Sequence, residues 1–300
     1  VSMNVSCSHE ATGIFIDVHS YGDFVYFPYG YADVNAPDHR SLLTMASKLA
    51  QPGNYSLWGP GQDGFLYFVS GDSTDSLYGI DCIPAFGYEI GSEFYANCTE
   101  LDGEILPIMK ESLLYAAKSV SAPYKIPLGP DLMDICVDNT DPKKTTMTVE
   151  VSDEALIVSH TIFEGDLSQS IEKVQVFFDV HPFDAGAEGI FMEAVDGAFD
   201  STEEQASYWL DSSSWEGRHV LYFQATDSHG NAGPVSAVFV DHNEPNSCAP
   251  QVKTSGGDAS SRSAASSVSS EESTDRESSA VKFFLSFGFA AAAALVGLLL

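Results

Sequence analysis

The sequence predicts an α/β fold followed by a small all-β unit and a disordered stalk. Over residues 1–130, apolar runs of strand length alternate with stretches of helical period. Beyond residue 145 the helical period is replaced by a period of two. Residues 246–280 are Ser, Ala and Glu with almost no large apolar side chain. Such a segment cannot bury enough surface to offset its chain entropy.

Gly13–Val18 reads as a buried strand. Asp38–Ala50 reads as a helix with Leu42, Leu43, Ala46 and Leu49 on one face. Phe86–Ile90 reads as a second short strand. Pro107–Val120 reads as a helix, with proline at its first turn and Ile108, Leu113, Leu114, Ala117 and Val120 at helical intervals. Residues 131–145 carry Pro, Asp and Lys near their ends and are expected to be a linker. Over 146–245, Thr146–Val151 alternates strictly, and parts of 174–180, 219–225 and 235–240 do the same, separated by turn clusters such as Asp227–Asn231. This pattern predicts an antiparallel β-sandwich of immunoglobulin or fibronectin type. Residues 281–300 end in an uncharged apolar run from Phe283 to Leu300, long enough to cross a bilayer. A polar spacer followed by a terminal apolar tail also fits a GPI signal. Lys282 on the lumenal side and the absence of a basic cluster after the tail favour the GPI anchor over a retained helix.

The net charge of −30 disfavours binding to phosphate backbones, so no nucleic-acid partner is expected. Three N-x-Ser/Thr sequons, at Asn4, Asn54 and Asn97, point with the tail to the secretory route and a glycosylated cell-surface protein. Disulfides are then allowed. Of the five cysteines none has C-x-x-C spacing, and Cys82 with Cys98 is the expected pair. An odd count leaves one thiol free or bonded elsewhere. The chain opens on Val1 rather than Met, so the sequence is expected to be a fragment or a processed chain.

Two residues stand out chemically. His19 follows an apolar strand, where α/β sheets bind their ligands. It is a metal ligand, an acid–base group or a hydrogen-bonded structural histidine. Glu89 lies between Tyr88 and Ile90 in an apolar strand, where an acid is costly unless paired or functional. No Gly-rich phosphate loop and no G-x-S-x-G elbow is present. His160, His181, His219, His229 and His242 read as surface or structural residues of the all-β unit.

Phe15–Gly22 followed by Tyr26–Gly30, then Tyr67–Asp75, then Phe86–Gly91, occur in an order that resembles the zinc carboxypeptidase (funnelin) family. Fourteen positions separate Asp75 from Glu89, as in that family. Tyr88–Tyr95, Ile105–Pro107 and Leu114–Lys118 resemble its carboxypeptidase T-like members. Trp215–Tyr222 and Asp227–Ala237 resemble the β-sandwich that often follows their catalytic domain. The likeness covers residues 10–242.

The resemblance implies that residues 1–130 are the C-terminal part of a mixed-sheet catalytic domain. His19 would be one of three protein ligands to a single Zn2+, and Glu89 the general base for a zinc-activated water. Tyr67 would close over the substrate, and Tyr21 would line its more N-terminal subsites. Gly30, Gln62, Asp72 and Thr74 would shape the side-chain pocket, with a neutral, hydrophobic or mixed preference. The substrates would be C-termini of peptides and proteins. The family's upstream His-x-x-Glu pair and its carboxylate-binding Asn and Arg residues have no counterpart here; His9-Glu10 lacks the spacing and Arg40 follows His19. The chain by itself is therefore expected to be inactive. The alternative is a catalytically inactive, carboxypeptidase-like protein that binds peptides or partners at the cell surface.

Overall fold

A computed structural model of the chain describes residues 7, 11–59, 68–154 and 168–248. Tyr67, Gln62, Asn4, His160, the stalk beyond 248 and the apolar tail lie outside the described residues. Among the described residues no helix is long and apolar enough to cross a membrane.

Helices and sheets are mixed, as an α/β reading requires. Helix α1 (His39–Ala50) starts beside Asp38, whose carboxylate accepts from the Cys7 backbone N–H (2.9 Å) and the Tyr78 hydroxyl (2.8 Å). Leu42, Leu43, Ala46 and Leu49 are buried as expected, but so is every residue from Ser41 to Ala50. A helix buried all round has structure on both flanks. On one flank is a four-stranded mixed sheet made of β1 (Phe15–His19), β2 (Phe24–Tyr26), β3 (Ser56–Trp58) and β4 (Ala85–Glu89). Its order is β1-β4-β2-β3, with β4 parallel to β1 and antiparallel to β2. Val25 and Tyr88 are fully buried in its core, and the Tyr88 hydroxyl donates to the Leu49 carbonyl (3.1 Å).

Helix α2 (Ser73–Asp81) precedes β4. After β4 the chain forms a single turn, α3 (Cys98–Glu100), then a π-helical stretch over Leu101–Ile105, then α4 (Leu106–Ser119). The expected helix over 107–120 is thus α4, extended toward its N-terminus by a wider turn that apolar spacing does not announce, but it buries Met109, Ser112, Ala116 and Ser119, while Leu113, Leu114, Ala117 and Val120 of the expected face are exposed. Ser112 of α4 donates to the same Leu49 carbonyl (2.7 Å), fastening α4 to α1.

Among the described residues eight strands follow: β5 (Asp131–Asp141), β6 (Lys144–Ser152), β7 (Ile171–Phe178), β8 (Ile190–Phe191), β9 (Glu193–Ala194), β10 (Glu203–Asp211), β11 (Arg218–Asp227) and β12 (Ser236–Asp241). They make two antiparallel sheets, β5-β6-β10-β9 and β12-β11-β7-β8. Met147, Val149 and Val151 of one sheet share a core with Val174, Val176, Leu221 and Phe223 of the other. The period of two in the sequence is the signature of these half-buried strands. Residues 131–145, expected as a linker, are instead β5 and its hairpin into β6. Val137 and Asn139 are buried there at alternate positions of a strand whose other residues are charged enough to mask the alternation.

The cysteine pairing also differs from expectation. Cys7 bonds Cys82, Cys136 bonds Cys248, and Cys98 is free and exposed. Cys82 precedes β4 and Cys98 follows it. Cys82 is instead taken by Cys7, 75 residues away in sequence. Cys248 and Asn246, expected in the stalk, are fixed to β5: Asn246 donates from its backbone to Asn139 Oδ1 (2.5 Å) and from its side chain to the Val137 carbonyl (3.0 Å).

Candidate functional site

The parallel register of β1 and β4 makes His19 and Glu89 direct neighbours at the C-terminal ends of both strands. The antiparallel register of β2 brings Phe24 to the other side of Glu89. One step down, Asp17, Gly87 and Tyr26 form a second row. Alternate strand residues share a face, so both rows look the same way. The opposite face, with Val25 and Tyr88, faces the core. The candidate site is therefore one face of three adjacent strands.

The side chains interlock. His19 Nε2 lies 3.1 Å from Asp17 Oδ1, and Asp17 Oδ2 accepts from the Ser73 hydroxyl at 2.5 Å. The Ser73 hydrogen bond, with help from His19, holds the Asp17 carboxyl below its ordinary value. Burial pushes the Glu89 carboxyl up; His19 opposes the shift and Asp17 reinforces it. Burial also raises the Tyr26 phenol, and the carboxylates of Asp72, Asp17, Glu89 and Asp75 add to it. An imidazole oriented by one carboxylate beside a second carboxyl with raised proton affinity is an acid–base pair.

Tyr26 sits where it does because of Gly87. A Cβ on residue 87 would come within 1.9 Å of the Tyr26 ring. The notch left by glycine is filled by the phenol. Neither Asp17 nor Tyr26 stands out from the sequence alone. The signal available for Asp17 was its place two residues before His19, which puts both on one face of a strand.

The loops after β1 and β4 close the rim. Ile90 donates to the His19 carbonyl and Gly22 to the Gly91 carbonyl, both at 2.9 Å. Tyr21 is about half exposed and packs edge-on against Phe94 with ring centres 4.8 Å apart, while Ser20 donates to the Phe94 carbonyl (3.2 Å). The peptide bonds Ser20–Tyr21 and Pro28–Tyr29 are cis.

Gly30, Thr74 and Asp72 are brought together. Asp75, buried at the start of α2, accepts from Gly30 N (2.9 Å) and Tyr31 N (3.1 Å), and burial raises its carboxyl in spite of both bonds. Thr74 is buried and its hydroxyl donates to Asp72, so it is committed inside the protein. Asn54 is exposed at the turn after α1, in a left-handed conformation. Asn97 is exposed too; its Oδ1 caps α3 by accepting from Thr99 N and Glu100 N. Tyr67 and Gln62 belong to the undescribed stretch 60–67.

Catalytic zinc takes three protein ligands. Among the described residues no group of three or more His, Cys, Asp or Glu side chains is arranged to hold a metal. His19 is the imidazole at the site, and its Nε2 faces Asp17. The described residues do not by themselves fit a catalytic zinc.

No protein-family model matches the chain, and a comparison with curated proteins gives no match. Among solved structures it is similar to a polysaccharide deacetylase from Bacillus cereus, at 11% identity and a TM-score of 0.21, over 38% of this chain and 30% of that one. It is also similar to a sulfane dehydrogenase from Paracoccus pantotrophus, at 11% identity and a TM-score of 0.24, over 36% of this chain and 28% of that one. The matches thus span about a third of the length of those proteins, and likenesses this slight carry no functional argument.

Proposed function

We propose that this chain carries the acid–base and substrate-facing part of a metallocarboxypeptidase site, within an enzyme that removes C-terminal residues from peptides. The observation that carries the reading is the cross-strand pair His19–Glu89 at the ends of two parallel strands. Around it, Asp17 orients the imidazole, and burial leaves Glu89 with the raised proton affinity that a general base near neutral pH needs. Tyr21 and Phe94 offer an aromatic rim against which an extended peptide can lie. On this reading the mixed sheet belongs to the carboxypeptidase fold, and the two antiparallel sheets form an immunoglobulin-like accessory module. The enzyme is held at the cell surface by a GPI anchor.

Zinc, when bound in the whole enzyme, would supply an activated water. Its remaining ligands would lie outside the described residues, whose donor set is insufficient. Glu89 would accept a proton at its carboxylate and hand it on to the leaving amine. A second reading, a catalytically silent peptide-binding protein, is favoured by one observation: His19 Nε2 is turned to Asp17 rather than left open.

Metal content separates the two. The whole enzyme is expected to retain one zinc per chain after dialysis and to release amino acid from a peptide with a free C-terminal carboxylate but not from its amidated twin. A chelator should stop the release. The 300-residue chain alone should retain no stoichiometric zinc. A whole protein that binds peptide without zinc or turnover would establish the silent reading.

A further inference from the structure

The junction between the α/β part and the two sheets is a buried polar cluster that the proposed chemistry does not use. Lys48 of α1 is only 6% exposed, and its amine pairs with Asp131, the first residue of β5. Asp153, at the end of β6, is 4% exposed and accepts from the Gln169 backbone N–H at 2.6 Å. Asp227, at the end of β11, is fully buried and holds the turn after it through His229 N, Asn231 N and Asn231 Nδ2. From α4, Tyr115 presents its hydroxyl toward Asp131, and Lys118 donates to Ser236 Oγ at the start of β12 (2.8 Å). The Tyr115 hydroxyl, Ser119 Oγ and Asp131 Oδ1 are buried there without a close hydrogen bond. Close backbone contact completes the seam: a Cβ on Gly233 would lie 1.8 Å from the Pro130 carbonyl oxygen.

Among the described residues the charged groups facing Asp153 are Lys48 from α1, Asp131 from β5 and Asp227 from β11, with Tyr115 and Lys118 of α4 reaching the cluster through Asp131. The Lys118 amine lies at the exposed rim, so the three carboxylates face one buried ammonium, that of Lys48. Negative charge is in excess when all are ionised, and the cheapest remedy is a proton on the carboxyl that lacks an ion pair. Asp131 has Lys48, and Asp227 has three N–H donors. Asp153 has one.

We infer that the seam is a proton-linked latch, in which Asp153 carries a proton while the two parts are docked and surrenders it, with loss of grip, as the medium turns neutral. Burial pushes the Asp153 carboxyl up to about 6; Asp227 and Asp131 add to the shift, while Gln169 N–H and Lys48 oppose it. The sign follows. The folded state binds the proton more tightly than the unfolded chain, so the seam is firmest in mild acid and weakens as pH rises toward and through 6.

The test is thermal unfolding of the full chain between pH 4.5 and 7.5, for the wild type, Asp153→Asn and Lys48→Met. Asp75 and Glu89 also bind protons more tightly when folded, so the difference between variants is what counts. Asp153→Asn should unfold about 3 °C or more above the wild type at pH 7, and the gap should close at pH 4.5. Lys48→Met should move the midpoint of the remaining pH dependence upward, because the cation facing Asp153 is gone. Carboxyl carbon NMR on the wild type reads the same group without substitution and should titrate near 6. Parallel profiles for wild type and Asp153→Asn, an unmoved midpoint in Lys48→Met, or a wild-type carboxyl titrating near 4 would each overturn the latch.

Discussion

Glu89 and Asp17 are both acids on one face of one sheet, yet their environments push them in opposite directions. Glu89 is raised because burial costs more than His19 returns. Asp17 is lowered because Ser73 donates directly to it. The two shifts have opposite consequences for stability. Glu89 contributes less stability as pH rises through its raised value, whereas Asp17 contributes stability above its unfolded value that is lost as pH falls through its lowered one. Glu89→Gln should therefore leave the thermal midpoint at pH 7 unchanged or higher, as calorimetry would read. Ser73→Ala should return the Asp17 carboxyl toward its ordinary value in an NMR titration and cost about 1 kcal/mol. A titration of Asp17 unmoved by Ser73→Ala would mean that His19 rather than Ser73 sets its charge.

At the scale of elements, the site depends on register. A slip of one residue between β1 and β4 would send His19 and Glu89 to opposite faces. Gly87 and Tyr26 make that register testable. Gly87→Ala should evict the Tyr26 ring and destabilise by about 1–3 kcal/mol. Pairing it with Tyr26→Ala should recover most of the loss in a double-mutant cycle of chemical unfolding. Simple addition of the two losses would show that the ring does not fill the notch. The presence of the elements around the site was legible from their apolar content, but not their buried faces: β1, expected to be buried, is only partly so with Val18 exposed, and α4 turns Met109, Ser112, Ala116 and Ser119 inward rather than Leu113 and Leu114. What was not legible depended on partners distant in sequence. The far flank of α1 is buried because α4 packs against it and β5 brings Asp131 to Lys48. β5 itself was obscured by Asp131, Asp134, Asp138 and Asp141, which break the apolar alternation. The partner of Cys82 lies 75 residues away, and local spacing points instead to Cys98. His19 and Glu89 could be singled out from their strands, but Asp17 and Tyr26 become members of the site only once three strands are in register.

At the scale of the molecule, the chain packs an α/β part and two antiparallel sheets around separate cores and joins them through charge. Asp131→Ala should be among the most damaging single changes, because it strands the Lys48 ammonium in a buried seam. The expected loss is about 3–5 kcal/mol by urea unfolding, and Lys48→Met with Asp131→Leu should restore much of it. A loss below about 1 kcal/mol would mean that water reaches the amine. Breaking the Cys136–Cys248 bond by Cys248→Ser should cost about 2–4 kcal/mol, because it frees the end of the second sheet from β5. The net charge of −30 works in the same direction as the raised carboxyls, since acid relieves repulsion across the surface.

On the proposed reading, His19 and Glu89 form the reacting half of an exopeptidase site. Its most direct test is turnover by the whole enzyme on a peptide with a free C-terminal carboxylate, comparing the wild type with Glu89→Gln. Glu89→Gln should lower kcat about 100-fold or more, with KM and the thermal midpoint little changed. Turnover by Glu89→Gln at the wild-type rate would contradict it.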